Sequence, residues 1–174
     1  MTAKIALITG ASSGIGEATA RRLLADGYVV YAAARRLERM QGLAAAGARL
    51  LALELTDDAS IVAAVEGIRS AGGRLDVLVN NAGYGSYGAL EDVPLAEGRR
   101  QFEVNLFGLA RLIQLATPIM RAQGSGTVVN ITSIGGKMHE PLGSWYHATK
   151  FAVEGLSDCL RMELAPFGID VVVI

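Results

Sequence analysis

Tyr146 and Lys150 stand four residues apart in Tyr-His-Ala-Thr-Lys. On a helix that spacing puts a phenol and an ammonium on one face. A free phenol titrates near about pH 10 and is a poor base at neutrality. An adjacent ammonium favours its ionised form, so the pair is a candidate proton-transfer device. Ser133 closes the run Asn130-Ile131-Thr132-Ser133 and can donate a hydrogen bond to an oxygen that gains charge. Asn105 is a polar residue inside an apolar helical pattern. Each has an ordinary reading when met alone: a snorkelling lysine, a turn serine, a tolerated mid-helix asparagine.

A second kind of chemistry is written near the start, in Thr9-Gly10-Ala11-Ser12-Ser13-Gly14-Ile15-Gly16. Gly10 permits a sharp turn out of a strand. Gly14 lets the backbone approach a pyrophosphate, and Gly16 lets helix and sheet pack closely. The following helix offers free N–H groups and the positive end of its dipole. Ser12 and Ser13 add hydroxyl donors, and Ile15 belongs to the same turn.

These residues need a frame that gathers them. Short β-rich runs alternate with longer helical patterns along the 174 residues. The expected strands are residues 4–9, 29–34, 49–55, 75–80, 126–132 and 170–174. They read as continuous apolar runs, as strands covered on both faces do. Ile61, Val65 and Ile68, then Phe102, Leu106, Leu109 and Ile113, then Ala152, Leu156, Leu160 and Leu164 recur at helical spacing. Asp57, Asp58 and Ser144 mark helix starts; Gly27, Gly72, Gly73 and Gly168 mark stops. Strict βα alternation implies one doubly wound α/β domain, a parallel sheet between two helix layers. Ligands of such a sheet bind beyond the carboxyl ends of its strands, where the chemical residues fall.

Composition narrows the function. Lys and Arg total 16 against 17 Asp and Glu, so no basic surplus suggests nucleic acid. The longest unbroken apolar run, Tyr28–Ala34, is far short of the about 20 residues of a membrane span. Cys159 is the one cysteine, expected as a small buried hydrophobe, and with two histidines no metal site is expected. A reducing cytoplasm is the expected compartment.

The second strand selects between dinucleotides. A site for NAD carries a carboxylate there for the ribose 2′-hydroxyl. Here the strand ends Ala34-Arg35-Arg36. A guanidinium pairs with a 2′-phosphate, so NADP(H) is expected over NAD(H), with Arg35 as the contact. The alternative is a solvated basic pair ahead of a helix.

Five motifs in order, namely the Gly-rich turn, Asn80-Asn81-Ala82-Gly83, Asn105, Ser133 and Tyr146 with Lys150, resemble the short-chain dehydrogenase/reductase family across essentially the whole chain. The resemblance implies a Rossmann sheet of order 3-2-1-4-5-6. It implies Tyr146 as acid/base, Lys150 as its activator and a holder of the nicotinamide ribose, and Ser133 as donor to the substrate oxygen. Asn105 would orient a water beside Lys150. Asn81, Ala82 and Gly83 would steady the sheet and line the cofactor cleft, with Leu55, after Glu54, cradling the adenine. His147 fills a variable slot and is expected as an exposed helix residue.

The segment around Gly135-Gly136-Lys137 and Trp145-Tyr146 is similar to hydroxysteroid- and retinol-dehydrogenase-like members. A bulky apolar alcohol or carbonyl compound is therefore expected, lined by Tyr84, Tyr87, Met138, Leu142 and Trp145. Helices near 97–123 and 144–166 resemble those that pair in family homodimers and homotetramers, although their apolar residues suit a core equally. Members of the family also carry a substrate lid and a seventh strand beyond the point reached by Ile174. The implied activity is hydride transfer between NADP(H) and a secondary alcohol, ketone or aldehyde. Two other readings stand beside it. One is a non-catalytic dinucleotide sensor or scaffold. The other is a sugar-nucleotide epimerase, whose relatives use a different glycine spacing. Titration with NADPH and NADH, followed by quenching of Trp145 fluorescence, is expected to show tighter NADPH binding that is lost in Arg35→Ala; equal binding of the two cofactors contradicts the reading of Arg35.

Overall fold

The computed structural model describes residues 3–174. Six strands are formed: β1 (Ile5–Thr9), β2 (Val29–Ala34), β3 (Arg49–Ala52), β4 (Val77–Asn80), β5 (Gly126–Asn130) and β6 (Ile169–Val173). All pair in parallel, in the order β3-β2-β1-β4-β5-β6. Helices fill the crossovers: α1 (Gly14–Ala25), α2 (Gln41–Ala45), α3 (Asp58–Gly72), α4 (Leu95–Phe102), α5 (Gly108–Gln123) and α6 (Ser144–Leu164). This is the doubly wound Rossmann arrangement.

The apolar strand runs follow from burial on both faces. Along β1, Leu7 joins a core with Ile61, Val65 and Ile68 of α3 and Leu109 and Leu112 of α5. Its neighbours Ala6 and Ile8 join a separate core with Ala20 of α1 and Leu43 of α2. Tyr31 and Ala33 of β2 likewise face one layer, and Val30, Ala32 and Ala34 the other. The period of two along a strand thus feeds two cores. Among the described residues no helix is long and apolar enough to cross a membrane.

The strand ends differ from expectation in informative ways. β3 stops at Ala52; just beyond it the Leu53 N–H still donates to the Ala34 carbonyl at 3.1 Å, and the Glu54 N–H donates to the Ser60 hydroxyl at 3.0 Å. The single helix expected through Phe102–Ile113 is three pieces: α4, a π-helical turn over Glu103–Phe107, and α5. Asp57 caps α3 by accepting from the Ala59 N–H, as expected of a helix start. Ser144 is the first residue of α6 but does not cap it; Gly143 occupies the cap position with no side chain to offer. Gly73 ends α3 at φ +63°, while Gly124, which ends α5 at φ +68°, was not foreseen. Cys159 is exposed rather than buried, and His147 is buried rather than exposed.

One carboxylate ties the start of the sheet together. Asp76, just before β4, accepts from the Ile5 N–H at 2.8 Å and from Arg74 at 2.6 and 2.9 Å. Burial alone would raise its pKa; the Arg74 guanidinium and the Ile5 N–H outweigh burial and hold it below its ordinary 3.8. Removing it strands the Ile5 N–H. Asp76→Ala is expected to cost about 1–3 kcal/mol in urea unfolding at pH 7. A carboxylate with a lowered folded pKa stabilises above its unfolded value and loses that contribution as pH falls through the folded one. The gap between wild type and variant should therefore close at acid pH, and a gap unchanged at pH 2 would contradict this account.

Candidate functional site

The Gly-rich turn is shaped by close contact with the Asn81 segment. A Cβ on Gly16 would lie 2.5 Å from both the Gly10 carbonyl oxygen and the Asn81 side-chain nitrogen. A Cβ on Gly10 would lie 2.9 Å from the Ala82 Cα. Asn81 Nδ2 donates to the Thr9 carbonyl at 2.9 Å, and the Asn81 and Ala82 N–H groups both donate to Thr9 Oγ1 at 3.0 Å. Gly14 is different. It has φ +58° and nothing within 4 Å of its missing Cβ, so its backbone faces open space. Ser13 sits at the N-cap of α1 without using its side chain as a cap, which leaves its hydroxyl available.

A cleft of about 660 Å³ runs along the carboxyl edge of the sheet. Gly10, Ser12, Ser13 and Ile15 line it at one end, with Arg35 and Leu55 beside them. Asn81, Ala82, Gly83, Tyr146 and Lys150 continue it. Gly14, Asn105 and Ser133 lie outside its lining. The fit to a dinucleotide is physical: a bare backbone at Gly10, the Ser12 and Ser13 hydroxyls at the N-terminus of α1, and a guanidinium at the end of β2. Arg35 is 59% exposed at its side chain, and its NH1 lies 3.8 Å from Glu54 Oε2.

Lys150 is the charged group at the other end. It is 7% exposed, and burial lowers its pKa from the ordinary 10.5. Its Nζ donates to the Ile131 carbonyl at 3.0 Å and stands 5.8 Å from the centre of the Tyr146 ring. A Cβ on Gly83 would come within 3.8 Å of that nitrogen and 3.1 Å of Asn105 Oδ1, so a bare backbone at Gly83 keeps the floor open. Ser133 Oγ accepts from the Gly135 N–H at 3.0 Å, which leaves its own O–H free to donate.

Asn105 is held by three side-chain hydrogen bonds. Its Oδ1 accepts from the Tyr84 N–H at 3.0 Å, and its Nδ2 donates to the Tyr84 carbonyl at 2.8 Å and to Thr149 Oγ1 at 3.1 Å. These bonds tie the amide to the Tyr84 backbone and to the Thr149 side chain. Its position on the π-helical turn lets it bridge the Tyr84 loop and α6. Gln101, one turn earlier, accepts from the Ser86 N–H in the same way. That loop carries Tyr87, whose ring lies 5.8 Å from the Tyr146 ring.

Of the expected pocket residues, Tyr84 and Tyr87 line the cleft. Trp145 does not. Its indole packs against Gly98 of α4, where a Cβ would be 2.5 Å away, and meets Phe102 edge-on. Met138 and Leu142 are exposed outside the lining. Leu142 is the one non-glycine residue with positive φ among the described residues, and its carbonyl accepts from the Gly88 N–H.

Sequence reasoning passed over Thr9, Gln101, Thr149 and Glu154. Gln101 stands four before Asn105 and Glu154 four after Lys150, so helical phase was the signal available for both.

The family model for short chain dehydrogenase matches residues 4–174. A 3-ketodihydrosphingosine reductase of Bacteroides thetaiotaomicron is 42% identical over 98% of this chain and 62% of its own length. A crystal structure of a short-chain dehydrogenase from Streptomyces avermitilis has TM-score 0.97 and 45% identity, covering 99% of this chain and 65% of that one. A metagenomic short-chain oxidoreductase in complex with NADP has TM-score 0.92 and 35% identity, covering 98% of this chain and 80% of that one. The chain thus spans a little under two thirds of the curated relatives it matches. Its sequence motifs, sheet order and matched family model together make it a member of the short-chain dehydrogenase/reductase family.

Proposed function

We propose that this protein is an NADP(H)-dependent oxidoreductase that transfers hydride between the nicotinamide and a secondary alcohol, ketone or aldehyde. The observation that carries the reading is the buried Lys150 ammonium against the Tyr146 ring, in one cleft with the Gly-rich turn and Arg35. A bound nicotinamide dinucleotide supplies the hydride; the chain supplies orientation and proton transfer. Arg35 and the α1 N-terminus hold the phosphates. The N–H groups of Lys150 not spent on Ile131 face the cleft and hold the ribose hydroxyls.

Tyr146 exchanges the proton of the substrate oxygen. Lys150 stabilises the phenolate, which takes the hydroxyl proton in the oxidative direction and forms again when the phenol protonates the substrate oxygen in the reductive one. The free O–H of Ser133 donates to the same substrate oxygen as its charge grows. Asn105 acts at one remove, by holding the Tyr84 backbone and Thr149.

The NADP complex of the metagenomic relative supports the cofactor. The Bacteroides relative is named for a ketone substrate, which supports the carbonyl class. Tyr87 at the cleft, with exposed Ile134, Met138 and Leu142 on the neighbouring loop, favours an apolar substrate body. Pairing of two copies through α5 and α6 is part of the same reading. Leu156 and Leu160, only partly packed on the core, line a groove there with Ala110 and Gln114.

Tyr146→Phe is expected to lower turnover of a reduced carbonyl by about 10²–10⁴-fold while NADPH affinity is kept. Turnover retained in that variant rejects the mechanism. Lys150→Met should abolish turnover as well, yet raise the thermal midpoint at pH 7, since the cost of burying the ammonium is removed. The sign follows from a folded pKa below the unfolded one. The wild type bears the full cost below the folded pKa and regains stability as pH rises towards 10.5. The two midpoints should therefore converge in alkaline buffer, and a variant less stable at every pH counts against a buried charge.

A further inference from the structure

Four residues past Lys150, α6 presents a second buried ionisable group. The Glu154 side chain is 9% exposed, and its two oxygens have separate partners. Oε1 accepts from the Thr132 hydroxyl at 2.6 Å. Oε2 pairs with Lys137 Nζ at 2.7 Å. Thr132 and Lys137 are the two shoulders of the turn that carries Ser133, Ile134, Gly135 and Gly136. One carboxylate therefore grips both ends of the turn.

The turn is also pressed against α6 by its own lack of side chains. A Cβ on Gly136 would lie 3.0 Å from the Lys150 carbonyl oxygen and 3.0 Å from Glu154 Cγ. A Cβ on Gly135 would lie 3.2 Å from Tyr146 Cε1 and 3.1 Å from His147 Nδ1. That imidazole nitrogen sits 2.9 Å from the carbonyl oxygens of both Gly135 and Met138, so it carries the proton and donates to both. His147, next to Tyr146, and Glu154, one turn past Lys150, thus both fasten the Ser133 turn to α6.

We infer that Glu154 is a positioning residue for Ser133. Its carboxylate, bridging Thr132 and Lys137, fixes the turn in register with Tyr146 and Lys150, so that the Ser133 hydroxyl and the Tyr146 phenol meet one substrate oxygen. Glu154 touches neither substrate nor cofactor; it acts through Thr132 and Lys137. A carboxylate suits this task because two acceptor oxygens can hold two donors on opposite shoulders, and charge-assisted bonds resist slippage more than neutral ones. Burial works against the ionised form, but Lys137 and Thr132 prevail and keep the group below its ordinary range, so it stays charged at neutral pH.

The catalytic part of this inference rests on the oxidoreductase reading, and the placement part does not. Glu154→Gln keeps an acceptor for Thr132 and loses the ion pair; Lys137→Met loses the pair from the other side. Amide hydrogen exchange by NMR is expected to show Gly135 and Gly136 exchanging about tenfold faster in both variants, the loss of one charge-assisted bond. The Val128 and Val129 amides of β5 should be unchanged. With any carbonyl compound that the wild type reduces, kcat should fall about tenfold with the KM for NADPH unchanged, as a small misplacement does. The double variant should be no worse than either single one. Unchanged exchange at Gly135 and Gly136 overturns the inference, as does equal loss at β5, which would make Glu154 a general prop. A KM for NADPH that rises while kcat holds overturns it too. If the wild type reduces no carbonyl compound, the oxidoreductase reading fails, and the exchange rates alone decide where Glu154 holds the turn.

Discussion

A lysine ammonium held out of water is the constraint on which this molecule is organised. Lys150 has one carbonyl, that of Ile131, to repay its lost hydration. Such a group stays in place only if everything around it is fixed. A chain of buried polar contacts provides that. Asn80 at the end of β4 donates to Asn130 at the end of β5, at 2.9 Å. Asn130 donates to Ser157 of α6 at 2.9 Å, and Ser157 donates back to the Val153 carbonyl at 2.6 Å. Two strand ends and α6, the helix that carries the lysine, are thus cross-linked. The parallel pairing of Asn80 with Asn130 makes this possible, because it brings both amides to one edge of the sheet.

The division of labour across the sheet follows from the same geometry. A parallel sheet puts all its carboxyl ends on one side, so turns from distant parts of the sequence share one cleft. The first half of the chain supplies the backbone cradle and Arg35. The second half supplies the phenol and the ammonium. The Asn81 segment sits between them, bonded to the Thr9 turn on one side and next to the Asn105 bridge through Gly83 and Tyr84 on the other.

What was legible beforehand was whatever local chemistry dictates. The six strands appear within a few residues of expectation because two-sided burial demands continuous apolar runs. The turn glycines and Tyr146 with Lys150 declare themselves by spacing. The rest depended on tertiary context. His147 is buried because Gly135 and Gly143 leave room for its ring, which no periodicity reveals. Cys159 falls on the outer face of α6, at a position whose burial only packing decides. Trp145 lies outside the cleft lining because Gly98 on another helix leaves room for its ring. The π-helical turn that displaces Asn105 has no residue signature of its own. Glu154 carries no local mark of its partners, since nothing in its own helix says that Thr132 and Lys137 arrive beside it.

The Gly10, Gly16 and Asn81 joint has a consequence for how this chain can change over generations. Three positions share one volume, and none can grow unless the others yield. Gly10 and Gly16 lie some 65 residues or more from Asn81 along the chain, yet for heredity they form one character. The loops between the elements of that stretch can lengthen, shorten or drift, so long as β2, β3 and α3 keep their places and β4 still delivers Asn81 to the same spot. The cradle itself can be exchanged only as a set, so a path of single substitutions through it is closed.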